Sequence, residues 1–214
     1  MRDEIIAASE KLFAQFAIKS ITMDEIAHAL GMSKKTLYIH CTDKNDLLQE
    51  VYLSPLKKAE DRCVHIHEEC NDAIEEVFAC WRILEPVIVP LNEKILHDLQ
   101  KYHTEVFYKY EQFRKVFLSK LLQRNIERGK KELLYRTNIE SELIARHEVA
   151  TLVAKQSLFV SGNQKWQPHF IDEQLLLHYL NGLATRTGVK LIEKYQTKFS
   201  KQFPESPTAS ARRP

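Results

Sequence analysis

The chain has 214 residues, of which 44% are apolar, enough to fill a sizeable core without disulfide or metal staples. Its 31 Lys and Arg against 29 Asp and Glu leave a formal charge of +2, so the overall charge announces no nucleic-acid partner. No apolar run approaches the roughly 20 residues that span a bilayer, and the N-terminus is amphipathic and unlike a signal peptide, which predicts a cytoplasmic protein with no membrane partner and reduced cysteines.

Only five glycines occur, and three of the seven prolines (Pro204, Pro207, Pro214) crowd the end, so an all-α fold is predicted. Residues 2–17 place Ile5, Ala8, Leu12 and Phe16 at helical spacing, a first helix able to cover the backs of the next two. Thr22 and Glu25 form an S/T-x-x-E capping box before the stripe Ile26, Ala27 and Leu30, and Gly31 suits the left-handed backbone that ends such a helix. Ser33 then caps another helix. Asp43 caps a fourth, running through Leu47, Leu48, Val51 and Tyr52 toward Cys70 with a kink expected at Pro55. Further helices are predicted at about 72–85, 92–102, 104–128, 141–161 and 171–199, separated at Pro86 with Pro90, at His103, at Gly129 and over 162–168. The last eleven residues have a disordered composition. The expected organisation is a three-helix head at 1–47, a larger helical domain at 48–203 and a flexible tail at 204–214.

Two short helices about a glycine turn are how a helix-turn-helix presents one of them to DNA. The first fifty residues carry six Lys and Arg against eight Asp and Glu, yet from Ala27 to Thr42 there is no acid, while His28, Lys34, Lys35 and His40 supply positive charge. Phosphate contacts act within about a Debye length, roughly 8 Å at physiological salt, so this local distribution outweighs the balance of the whole.

The blocks IIAASEKLF (Ile5 to Phe13), ITMDEIA (Ile21 to Ala27), LGMSKKTLY (Leu30 to Tyr38) and DKNDLL (Asp43 to Leu48) resemble, in order and spacing, the N-terminal region of TetR/AcrR-type transcriptional regulators. Beyond about residue 50 the likeness is only the all-helical layout. The chain departs from the pattern in having Phe16-Ala17-Ile18 where a glycine is usual, Lys35 where a small residue is usual and Cys41 where a phenylalanine is usual.

The resemblance implies that the helix starting at Ser33 enters the major groove, with Lys34, Lys35 and Thr36 toward base edges and Thr22, Tyr38, His40 and Lys44 on the sugar-phosphate backbone. It further implies a homodimer on a palindromic double-stranded DNA operator, its heads in successive grooves about 34–36 Å apart, and release of DNA when a small inducer binds the helical body. For self-association the sequence offers Leu176, Leu180, Leu183 and Thr187, spaced by four, three and four, with a second stripe at Val149, Leu152 and Gln156. For an apolar or aromatic effector it offers Phe78, Trp81, Phe107, Tyr110, Phe113, Phe117 and Phe159.

Cys63, His67 and Cys70 stand at i, i+4 and i+7 on one helical face, a thiol and imidazole set able to bind zinc or to report oxidation, although the same stripe also reads as core. No cofactor is expected. The chain contains no G-x-S-x-G, H-E-x-x-H, P-loop or dinucleotide fingerprint, which argues against an enzyme. A helical adaptor using the head for protein contacts is the other alternative.

Overall fold

Capping chemistry sets where the first helices begin and end. In the computed structural model, which describes residues 1–88, 90–154 and 168–200, Thr22 caps α2 (Met23–Ala29). Its Oγ1 accepts the Glu25 N–H at 3.2 Å and the Glu25 carboxylate accepts the Thr22 N–H at 2.6 Å, completing the capping box. At the far end Gly31 takes φ +64°, its N–H bonded to His28 O and the Met32 N–H to Ala27 O, the paired bonds of a Schellman turn. Ser33 caps α3 (Lys34–His40) through the Thr36 N–H at 3.1 Å, and Asp43 caps α4 (Lys44–Leu48) through the Asp46 N–H at 2.8 Å. α1 (Arg2–Phe16) precedes them and buries Ile5, Ser9 and Phe13. It ends at Ala17, whose φ of 70° lies in the region that favours glycine.

After α4 the backbone widens into a π turn over Gln49–Leu53, closed by the Ser54 N–H on Gln49 O, and then continues as α5 (Ser54–Glu69). Pro55 is the second residue of α5. Its ring nitrogen has no hydrogen to give, and the wider turn before it absorbs the missing bond, so the irregularity expected at Pro55 is a π turn just ahead of it.

Packing divides the chain into two compact units, residues 1–65 with 82–118, and residues 66–81 with the described residues from 119 onward. This differs from the expected boundary at residue 47 because α7 (Glu93–Tyr102) and α8 (Thr104–Gln112) fold onto the head. The Lys19 N–H donates to Asp98 Oδ2 at 2.9 Å, His103 Nδ1 lies 2.6 Å from Asn45 Oδ1, and Lys109 Nζ donates to Gln49 Oε1 at 2.8 Å. Ile18, Ile26, Leu37, Leu47 and Leu48 fill the first unit's core beside Phe13, whose ring lies 6.4 Å from that of Tyr52. A second π turn, Phe113–Leu118, closes its last segment.

The second unit is built from the start of α6 (Ala73–Ile88) with α9 (Ser119–Lys131), α10 (Ser141–Ala154), α11 (Pro168–Leu183) and α12 (Arg186–Ser200). Ile74, Phe78, Ile126, Tyr135, Leu180, Ile192 and Phe199 are among its core residues, with Phe78 stacked on Phe199 at 5.3 Å. Three sequence boundaries shift here. α6 continues through Pro86 to Ile88, since a proline in a last turn removes one bond without unwinding it. α9 runs through Gly129 to Lys131; that glycine is required because a Cβ there would stand 2.1 Å from the Tyr135 ring. The single helix expected over 171–199 is two, because the Thr185 N–H bonds Leu134 O and the Arg136 N–H bonds Leu183 O, drawing the chain out of its helix at Ala184.

Candidate nucleic-acid interface

α3 is anchored through Leu37, which is fully buried, and turns Ser33, Lys34, Lys35, Tyr38 and Ile39 to solvent, with Thr36 and His40 half-buried. Lys34 Nζ is 2.8 Å from Asp24 on α2 and 5.9 Å from the centre of the Tyr38 ring, and its hydrogen bond to Asp24 raises its pKa. An ion pair this exposed is weak and screened by salt, so the ammonium can exchange Asp24 for a phosphate. Lys35 has no ion-pair partner among the described residues and extends into solvent from an acid-free helix. The face therefore combines cations, hydroxyls and a phenol on one short rod.

Several of the candidate DNA residues also have work inside the head: besides the Ser33 cap, the Ser33 and Thr36 hydroxyls lie 2.8 Å apart and bond each other. Thr22 Oγ1, besides accepting the Glu25 N–H, donates to Glu25 Oε2 at 2.8 Å, so its hydroxyl is committed to the cap. Lys44 is half-buried, and its ammonium donates to Ile18 O and Ile21 O at 2.5 Å each. Burial lowers its pKa, against the opposing pull of Asp98 and Glu25. It clamps the connection between α1 and α2, leaving one N–H for any other acceptor. Cys41, which stands where the resembled pattern usually has phenylalanine, is buried at the end of α3 in extended backbone. Sequence reasoning passed over Ile39, whose exposure only the rotation of α3 reveals.

The aromatic residues read as a ligand pocket fall into separate environments. In the first unit Tyr110 and Phe113 are buried, Phe113 stacks on Phe117 at 5.4 Å, and Phe107 with Tyr108, Thr104, Glu111, Gln112 and Lys115 lines an open groove of about 330 Å³. In the second, Phe78 is core and Trp81 half-buried. Phe159 lies outside the described residues.

In the second unit Val149, Leu180 and Leu183 are buried, Leu152 and Leu176 partly so, and Thr187 exposed; Gln156 and the 204–214 tail lie outside the described residues. Leu180 and Leu183 belong to the unit's own core, with Leu176 packed against it. A stripe for a second copy and a stripe for the chain's own core share one periodicity, and here the core claims these positions. Leu143 and Leu175, on α10 and α11, are exposed instead.

The Cys63, His67 and Cys70 set does not assemble. Cys63 is buried in the first unit, while His67 Nδ1 lies 3.1 Å from Glu76 Oε2 and 3.3 Å from Arg128 Nη1 in the second. Burial, with Glu75 and Glu76 nearby, pushes the Cys70 thiol up to about 11, keeping it protonated and a poor metal ligand or redox sensor at neutral pH. No three metal-ligating side chains are grouped among the described residues, and no helix there is long and apolar enough to cross a membrane.

Comparison with known proteins converges on the same region. The family profile described as bacterial regulatory proteins, tetR family, matches residues 5–51. The uncharacterized HTH-type transcriptional regulator YvaF of Bacillus subtilis (strain 168) is 31% identical over 116 residues, which is 53% of this chain and 60% of that protein. The chain thus spans about three-fifths of the length of this curated relative. Among solved structures, a TetR-family transcriptional regulator from Marinobacter aquaeolei VT8 superposes with a TM-score of 0.71 at 18% identity, covering 93% of this chain and 98% of that one. The ketosteroid transcriptional regulator KstR2 of Mycobacterium tuberculosis does so with a TM-score of 0.65, also at 18% identity, covering 86% and 95%. At such identity the likeness is one of fold. A matching head, a curated relative and a common helical architecture together make residues 5–51 similar to the N-terminal region of the tetR family of bacterial regulatory proteins, within a fold shared with TetR-family structures.

Proposed function

We propose that the chain is a cytoplasmic, ligand-responsive transcriptional repressor that binds a palindromic operator in double-stranded DNA as a homodimer and leaves it when a small apolar or aromatic inducer binds. The observation that carries the DNA-binding step is the outward display of Lys34, Lys35 and Tyr38 on an acid-free helix whose rotation is fixed by buried Leu37. Lys34 and Lys35 donate to phosphate or to guanine O6 and N7, Ser33 and Thr36 supply hydroxyls at the start of α3, and Tyr38 and His40 reach the backbone. Lys44 contributes mainly by holding α1 against α2, since its ammonium is bonded to carbonyls.

Two lysines in each of two heads neutralise four phosphates, so log affinity falls with log salt at a slope of about −4. A flat response overturns the reading. The effector step is supported by the open groove of the first unit at Phe107 and Tyr108, next to the aromatic core residues Tyr110 and Phe113. An inducer shifts DNA affinity only as far as it binds two conformations unequally. The continuous run from Lys44 through the π turn to Glu69 is the element able to carry that difference. The homodimer is checked by sedimentation at micromolar concentration, where a purely monomeric chain counts against it.

A further inference from the structure

At 73% exposure, Ile39 is the most exposed large apolar side chain among the described residues. A lone apolar residue on a surface needs no explanation; its position gives this one meaning. Ile39 stands at i+4 from Lys35 and i+3 from Thr36, so the three share one face of α3. Leu37 is fully buried and Tyr38 is half-exposed, so α3 cannot roll Ile39 inward without bringing Leu37 out. The isoleucine is therefore held on the face that carries Lys35.

We propose that Ile39 is a specificity-determining residue whose side chain packs on the 5-methyl group of a thymine in each half of the bound duplex. The inference rests on the DNA-binding reading above and deepens it. Most other base-edge features of the major groove are hydrogen-bond donors or acceptors, which an aliphatic side chain cannot use, whereas the thymine methyl is the bulkiest apolar group presented there. Lys35, one turn earlier, supplies the polar contact, and Ile39 supplies selection for thymine beside it.

The test uses the full chain and a duplex that it selects from a random library. Each thymine of that duplex is replaced in turn by deoxyuridine, which keeps every hydrogen-bonding group and lacks only the methyl. One symmetry-related pair of positions should weaken binding by roughly four-fold per methyl removed, the equilibrium equivalent of one buried methyl. Ile39→Ala should bind the thymine duplex more weakly and lose nothing further on the uracil one, while Ile39→Val retains part of the sensitivity. Wild type insensitive at every thymine, or Ile39→Ala as sensitive as wild type, overturns the proposal while leaving DNA binding intact. Enrichment of no duplex at all overturns the DNA-binding reading and this inference together. Because Ile39 is exposed, thermal unfolding of its variants should match that of wild type.

Discussion

The head and the second unit are held by interactions of different reach. In the head, the residues that fix helix ends lie three apart: Thr22 with Glu25, Ser33 with Thr36, Asp43 with Asp46. In the second unit, Arg128 donates to Glu76 and to the Cys70 carbonyl across 52 and 58 positions, and Tyr195 and Lys198 reach Asp72 and Glu75 across 123. The first kind of bond forms within one turn of helix; the second closes only when the whole unit is packed. The difference teaches where each part is vulnerable. Loss of one long-range partner should damage the second unit, whereas the helix ends of the head should answer mainly to their local caps.

The largest effect is expected from Arg128→Met. Glu76 is almost fully buried, and its Oε2 accepts Arg128 Nη1 at 2.9 Å, with Arg124 3.5 Å from the other oxygen. Removing Arg128 leaves a buried carboxylate short of its cation and two carbonyls, His67 O and Cys70 O, without a donor. The cost should be about 3–5 kcal/mol, most of it recovered when Glu76 is replaced as well by a leucine. Hydrogen exchange should register the loss in α6 and α9 through α12 and leave α2 and α3 protected. Equal loss in both regions would break the contrast.

Acid provides the next test. Burial pushes the Glu75 carboxyl up, but Lys198 Nζ at 2.9 Å and the Asn71 N–H and amide at 3.0 and 2.7 Å more than offset this and hold it at about 2, against an ordinary 4.5. A carboxylate depressed in the folded state contributes stability that is complete above its unfolded value. That stability is lost as pH falls through the folded one, here between about pH 4.5 and 2. A difference of that size corresponds to roughly 3 kcal/mol. Urea midpoints of wild type should drop over this window, and Glu75→Gln, already weakened at pH 6, should show a shallower drop.

Legibility in the sequence follows the same division. The capping box at Thr22, the left-handed Gly31, the caps at Ser33 and Asp43 and the exposed lysines of α3 could all be read from neighbouring residues, because their physics is completed within a few positions. Lys44 could not, since nothing near it signals that its ammonium will meet carbonyls 23 and 26 positions earlier. Nor could the break at Ala184, which depends on the backbone of residues 134–136, or the burial of Leu180 and Leu183, whose spacing suits a core and an interface equally. The lysines of α3 stand on its surface, whereas the leucine stripe read from periodicity is taken up largely by the second unit's own core.

The smallest predicted effect sits at the end of α1, where a non-glycine residue takes backbone that favours glycine. Ala17 ends α1 with φ 70° and ψ 155°, backbone that glycine occupies freely and a residue with a Cβ occupies at about 1–3 kcal/mol of strain. Replacing it by glycine relieves that strain, loses a buried methyl worth about 0.8 kcal/mol and adds roughly 0.5 kcal/mol of freedom to the unfolded chain. The balance favours Ala17→Gly by about 0.5–1 kcal/mol, read as a small rise in melting temperature. The Phe13 carbonyl, which accepts the Ala17 N–H at 3.0 Å, keeps its bond, so the turn into Ile18 and the Lys44 clamp on its carbonyl are preserved. DNA affinity should therefore stay constant. A lower melting temperature would mean that the alanine methyl contributes more to the packing beneath α1 than its backbone strain costs, and that this end of the head is fixed by tertiary packing after all.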